Sequence, residues 1–353
     1  MKIVVLGGGI STERHVGLVT STSVCKALRS IGHKAVFVDM FMGLEEYEGM
    51  DYESLFEASD GLCGNVAIEK TAPDISSVIA SRKDKSSSRI GKGVLEICKH
   101  ADCVFLGMHG ADGEDGKIQA TLDLLGIPYT GSDYLGSAMA MDKAISKIIM
   151  KESGILTPEG KELTYTYDDI PKIVEATDVP CVVKTVAGGS SIGVVLPDTK
   201  EELFDALKDL LQYGNRILIE EKIIGREMTV PVFNGKYLSA IEIVPPDGSS
   251  FDYVAKYQSG EEGAREICPA PITAEEQKMM GEAALKLHKA LGLSVYSRTD
   301  FILDEEGRAW CLEVNTLPGM TPNSLIPKAA AVEGMSYPEL CEQIVLLSMK
   351  AKA

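Results

Sequence analysis

The chain is 353 residues long and carries a formal net charge of −17. That length allows two or three domains with buried cores, and the acidic balance disfavours a nucleic-acid partner, because phosphate binding rests on an excess of Lys and Arg. No apolar run approaches the ~20 residues that span a bilayer. MKIVVLGGG lacks the apolar length and cleavage site of a signal peptide. Eight scattered cysteines without a C-x-x-C pair favour reduced thiols over disulfides or zinc, so a soluble cytoplasmic chain with no membrane partner is expected.

Strands and helices alternate at first, the pattern of a parallel α/β sheet. The spacing predicts a strand over residues 2–6, a helix over 14–30, and strands over 34–39 and 102–107. Residues 45–93 interrupt the alternation with acidic and Ser/Lys-rich segments such as SRKDKSSSR, and read as a mobile surface excursion. Gly7-Gly8-Gly9 sits between strand and helix, as a dinucleotide-binding turn would. The third glycine of G-x-G-x-x-G is missing, however, and Asp39 stands alone as a ribose ligand, which argues against that fingerprint. A single helical stretch over 133–153 closes the first unit. The second unit has strands over 180–185, 193–196 and 216–220 and a helix over 200–213. The third has strands near 230–233 and 237–244, a polar loop over 245–263, a helix over 274–291, a charged hairpin and a closing helix. The fold class is α/β, α+β in places, divided at 1–138, 139–229 and 230–353.

Two local patterns carry chemistry. Lys184-Thr-Val-Ala-Gly-Gly-Ser-Ser-Ile-Gly193 lies between two strands, so it is not a Walker loop. Its glycines let backbone N–H groups approach an anion, and Ser190 and Ser191 add hydroxyl donors. Lys184, ending an apolar strand, would be costly if buried unpaired. The second pattern is SRTDFILDEEGRAWCLEVNTLPGMTPN, a hairpin turning at Asp304-Glu305-Glu306-Gly307. Closing it with Leu303 opposite Arg308 sets Arg298 opposite Glu313. Alternation then puts Arg298, Asp300, Glu313 and Asn315 on one face, and Phe301, Leu303, Trp310, Leu312 and Val314 on the core face. Two carboxylates and an amide together repel unless a hard cation lies between them; Mg²⁺, bound by few protein oxygens and by substrate phosphates, is the expected ion.

GGGISTERHV, MHGADGEDGKIQATLDLLGIPYTGS, AMAMDKAISK, VKTVAGGSSIG, IEEKIIGREMTV, FDYVAKY and LEVNTLPGMTPNSL occur in this order. Through them nearly the whole chain resembles the D-alanine–D-alanine ligases of the ATP-grasp superfamily. The resemblance implies a three-domain ATP-grasp architecture with an amino-terminal parallel α/β domain, the cofactors ATP and Mg²⁺ (Mn²⁺ as a substitute), D-alanine as substrate and a homodimer. Asp300, Glu313 and Asn315 would be the metal ligands, and Lys143, Lys184 and Lys256 would contact the phosphates, with Ser191 in the glycine loop. Glu220 and Glu227 would bind near the adenine and ribose, flanking Glu221 and Ile223, whose backbone would read the purine. Glu13 would take the ammonium of the first D-alanine, with His109 nearby. Arg298 and the Gly319 N–H would face the developing oxyanion. Ser324, beside Leu325, would hold the second carboxylate, and Ser190 and Tyr257 would bond with Glu13 to close the site. In lactate-forming relatives a histidine occupies the loop of Tyr257. Departures from the family pattern are Thr185, Gly188, Lys222 and the continuation Arg14-His15-Val16-Gly17, which bear on nucleotide affinity and loop mobility more than on reaction class.

Without the resemblance each residue has a plainer reading. Glu13 would cap or flank the first helix and Arg14 would pair with a surface charge. His109 would be a hydrogen-bonded loop residue. Lys143 after Asp142 would form a solvated pair, Ser324 would be only a helix N-cap, and Tyr257 would pack as an aromatic.

Overall fold

A computed structural model of the chain describes residues 1–44, 49, 51–58, 60–63, 73–189, 193–245 and 264–352. Ser190, Ser191, Lys256 and Tyr257 lie outside these residues. The described residues form three sheets. In the first, β1 (Lys2–Gly7) runs between β2 (Lys34–Asp39) and β3 (Cys103–Leu106), parallel to both. Ile3 through Leu6 are fully buried, as a strand covered on both faces requires. Helix α1 (Arg14–Ser30) covers this sheet after three glycines. Gly8 and Gly9 have positive φ, and a Cβ on Gly8 would come within 2.5 Å of the Asp39 carboxylate. That carboxylate is engaged by the buried Arg14 and by the N–H groups of Phe41 and Met42. Asp39 thus serves the turn, and Arg14 is not a surface residue.

Short helices α2 (Tyr52–Leu55), α3 (Ile75–Ser81) and α4 (Val94–Lys99) precede β3. Part of the expected excursion lies outside the described residues, and the described part corrects that expectation. Arg82, in SRKDKSSSR, is 1% exposed. Its guanidinium donates to the carbonyls of Phe41, Ser86 and Ser88 and to Asp84, and stacks over the Phe41 ring. Arg89 pairs at 2.7 Å with the buried Asp112, so the run is stitched to the body of the protein.

After α5 (Lys117–Leu124), the single helix expected over 133–153 is two, α6 (Tyr134–Met141) and α7 (Lys143–Glu152). The break is Asp142, extended at φ −82° and ψ 101°, whose carboxylate accepts from Ile145 N–H and caps the second helix. The second sheet orders β4 (Gly160–Thr164), β7 (Arg216–Glu221), β5 (Cys181–Thr185) and β6 (Val194–Val195), all antiparallel. Helices α8 (Ile170–Ala176) and α9 (Lys200–Leu210) supply its core, with Leu203 and Leu207 against Val183 and Ile217.

The third sheet runs β11 (Arg265–Ile267), β10 (Ile241–Val244), β8 (Arg226–Phe233), β12 (Tyr296–Leu303) and β13 (Ala309–Asn315), with β9 (Lys236–Tyr237) also on β8. The strand expected over 237–244 is therefore two short ones. Helix α10 (Ala274–Ala290), started by a Thr273/Glu276 capping box, packs its apolar face on β8 and the hairpin. Two helices close the chain, α11 (Leu325–Val332) and α12 (Tyr337–Ala351). Ile344 and Val345 of α12 share a core with Ile3 and Val24, so the carboxy terminus completes the amino-terminal layer.

Candidate active site

The hairpin closes in a different register from the one the turn sequence suggests. Leu303 faces Ala309, and a β-bulge between Asp300 and Phe301 sets Asp300 opposite Glu313 and Arg298 opposite Asn315. The turn is longer because the Asp304 side chain stitches it, accepting from the Arg308 backbone, the Arg308 guanidinium and Trp310 Nε1. The bulge interrupts alternation on β13, so Ala309, Cys311 and Val314 enter the core and Trp310 and Leu312 do not. Arg298, Asp300, Glu313 and Asn315 still gather on one side.

Their charges are met by protein cations. Arg298 donates to both oxygens of Asp300, at 2.9 and 2.8 Å. Thr229 Oγ1 adds a bond of 2.6 Å to Asp300 Oδ1, and Asn315 Nδ2 one of 3.1 Å to Oδ2. Lys143 Nζ lies 3.1 Å from Glu313 Oε2 and donates at 2.7 Å to the Gly188 carbonyl. Lys143 is thus buried at the start of α7, while Asp142 turns to Arg216. Arg298 and Lys143 offset the repulsion expected between the carboxylates. Two carboxylates and an amide are hard oxygen donors, too few for a closed cage; no group of three or more His, Cys, Asp or Glu converges among the described residues. Such a donor set fits Mg²⁺ completed by phosphate oxygens.

The amino-terminal side meets this face through Glu13, which is 6% exposed and has no capping bond to α1. A Cβ on either Gly110 or Gly189 would lie 2.5 Å from Glu13 Oε2. A side chain at either position would force that carboxylate to shift. His109 is buried, its Nδ1 donating to the Leu317 carbonyl at 2.7 Å and its Nε2 facing Thr20 Oγ1 at 2.9 Å. Burial lowers its pKa, which favours the neutral ring. The adjoining Glu114 accepts from the N–H groups of Gly110, Thr316 and Leu317. Burial, then the charge of Glu13, pushes its carboxyl up to about 7. The sequence MHGADGEDG held this residue in view, but only the fold brings it beneath the turn after β13.

A second charged group lies on the central sheet. Glu220, 3% exposed, receives Lys184 at Oε2 (2.5 Å) and Lys147 at Oε1. The sequence marks Lys147 only by its spacing of four from Lys143 on one helix. Glu221 turns its carboxylate to the Glu159 N–H, Ile223 lies between β7 and β8, and half-buried Glu227 stands opposite Ile302. Lys222 pairs with Asp198 at 2.7 Å. Ser324 occupies the N-cap position before Leu325 without a cap bond, and its Oγ accepts from Thr321 N–H instead. A Cβ on Gly319 would lie 3.0 Å from that hydroxyl. Glu114, Lys143, Gly188, Gly189, Glu313 and Asn315 line one cleft.

Three sheets, with a glycine loop and an acidic hairpin meeting over that cleft, define an ATP-grasp architecture. The family model "D-ala D-ala ligase N-terminus" matches residues 2–132 and "D-ala D-ala ligase C-terminus" matches residues 150–346. The chain belongs to the D-alanine–D-alanine ligase family. It is 42% identical to a D-alanine–D-alanine ligase of Pediococcus pentosaceus, over 99% of this chain and 98% of the relative. A Bacillus anthracis D-alanine–D-alanine ligase complexed with ATP superposes with a TM-score of 0.71 at 30% identity, covering 100% of this chain and 98% of that one. The VanG D-Ala:D-Ser ligase from Enterococcus faecalis gives 0.72 at 28% identity, covering 98% and 99%.

Proposed function

We propose that this chain joins two D-alanine molecules into D-alanyl-D-alanine for peptidoglycan precursors, with ATP converted to ADP and phosphate. The observation that carries the reading is the close approach of Gly110 and Gly189 to the Glu13 carboxylate, with Gly189 also lining the cleft where Lys143 meets Glu313. A carboxylate is a poor electrophile, so its oxygen first takes the γ-phosphoryl group, giving an acyl phosphate and ADP. The amine of the second D-alanine then attacks the carbonyl carbon, and phosphate leaves.

Glu13 suits the first ammonium, because a buried carboxylate with a glycine on either side presents charge at short range. Lys143 and Lys184, with Lys256, suit the phosphates, where catalysis is mostly position and charge. Arg298 and the Gly319 N–H suit the oxyanion; one such donor is worth about 3 kcal/mol. Ser324 suits the second carboxylate, since a helix start favours an anion. Asp300, Glu313 and Asn315 would hold Mg²⁺, which neutralises phosphate charge when bound. Water must be excluded from the acyl phosphate, a task suited to the loop 245–263 with Lys256 and Tyr257 and to the Ser190–Ser191 loop. The division 1–138, 139–229 and 230–353, a cytoplasmic location and a homodimer belong to the same proposal.

A coupled assay across D-alanine, D-serine, D-lactate and the L-isomers tests it. Phosphate release that requires D-alanine, with dipeptide as product, is expected. Predominant D-alanyl-D-serine would move the chain to the specificity of the VanG relative, and release without any amino acid would refute ligation.

A further inference from the structure

Lys143 and Lys147 stand four residues apart on α7, so their side chains leave one face about 6 Å apart along the helix axis. The first goes to the metal hairpin. The second goes the other way, to Glu220 on β7. Lys147 also donates to Thr157 Oγ1 at 2.7 Å, and that hydroxyl donates at 2.8 Å to the Cys311 carbonyl on β13. Its ammonium is therefore fixed by two partners, Glu220 and Thr157, the second tied in turn to β13, and the residue is 5% exposed.

Glu220 has one ammonium at each oxygen, and the group of three carries one positive charge in excess. Burial, then the neighbouring Lys184 charge, pulls the Lys147 pKa down to about 8. A nucleotide whose phosphates attract Lys184 takes that lysine's charge away from Glu220, and a buried carboxylate left without a cation is costly, so Lys147 is the partner that remains to hold it.

We infer that Lys147 is a positioning residue for nucleotide recognition: with Thr157 as its second anchor it holds the Glu220 carboxylate in place, so that the carboxylate reads the 6-amino group of adenine. The inference rests on the proposed nucleotide roles of Glu220 and Lys184. An ionised carboxylate is an acceptor only. Held in place it favours an amino donor and opposes the 6-oxo group of hypoxanthine, whereas a carboxylate that has turned away separates the two poorly.

The test is calorimetric titration of ATP and ITP, each with Mg²⁺, into the wild type, Lys147→Met, Lys147→Arg and Glu220→Gln at pH 7, with circular dichroism as a check on folding. Lys147→Met should lower the ATP-to-ITP affinity ratio at least roughly tenfold, Lys147→Arg should keep most of it, and KM for ATP should rise more than kcat falls. A purely structural role would not move that ratio. An unchanged ratio in folded Lys147→Met beside a collapsed ratio in Glu220→Gln overturns the role of Lys147 and leaves the nucleotide reading of Glu220 standing. Unchanged ratios in both overturn both. If Lys147→Met does not fold, Thr157→Val, which removes the second anchor of the ammonium, must lower the ratio; an unchanged ratio there overturns the inference.

Discussion

Asp300 and Glu313 face each other directly across the β12–β13 hairpin, each neutralised by a different cation, Arg298 and Lys143 respectively. Glu313→Gln keeps the shape of the side chain and removes the charge. It should leave the fold intact, abolish dipeptide formation and weaken Mg²⁺ binding. Dipeptide formation at a near wild-type rate would show that Glu313 is not a metal ligand.

Gly189→Ala places a methyl group 2.5 Å from Glu13 Oε2, so the carboxylate must shift. The displaced carboxylate should bind the first ammonium poorly, and kcat/KM for D-alanine should fall about a hundredfold, the cost of an ångström-scale misplacement. The melting temperature should change little, because the loop is at the cleft and not in a core. Steady-state kinetics with unchanged kcat/KM would remove Glu13 from the substrate site.

The carboxyl of Glu114, pushed up to about 7, makes a pH prediction. Its protonated form is favoured by the fold, so this contribution to stability is fully present below the unfolded value near 4.5 and is lost as pH rises towards 7. The loss is roughly 3 kcal/mol across that window. Denaturant unfolding from pH 4.5 to 8 should show the decline in the wild type. Glu114→Gln, which cannot titrate, should flatten it; an unaltered slope in the variant assigns the decline to other groups.

The role proposed for Tyr257 makes a prediction about the second substrate. A tyrosine with an ordinary pKa of about 10 stays neutral and does not repel an ammonium, unlike the histidine of lactate-forming relatives. D-lactate should therefore be a poor second substrate from about pH 6 to 9. In competition between D-alanine and D-lactate, mass spectrometry should find dipeptide; predominant depsipeptide at pH 7 would defeat the assignment.

Local sequence determined much of this protein. The buried run Ile3–Leu6, the amphipathic helix Arg14–Ser30 and the Thr273/Glu276 capping box are set by residues close in the chain, and their bounds were legible to within a residue or so. The ordered motifs likewise placed the chain in its family, because each needs particular residue types at fixed spacing. The register of the charged hairpin was not legible: it depends on the bulge at Asp300 and on Asp304 reaching Arg308 and Trp310, which alternation alone does not count. Nor were the partners of the buried charges. Arg82 reads as surface, Lys143 as a solvated helix residue, and Lys147 and Glu114 as nothing in particular. Each is decided by carboxylates, carbonyls or N–H groups brought from distant segments, and a buried charge cannot persist without them.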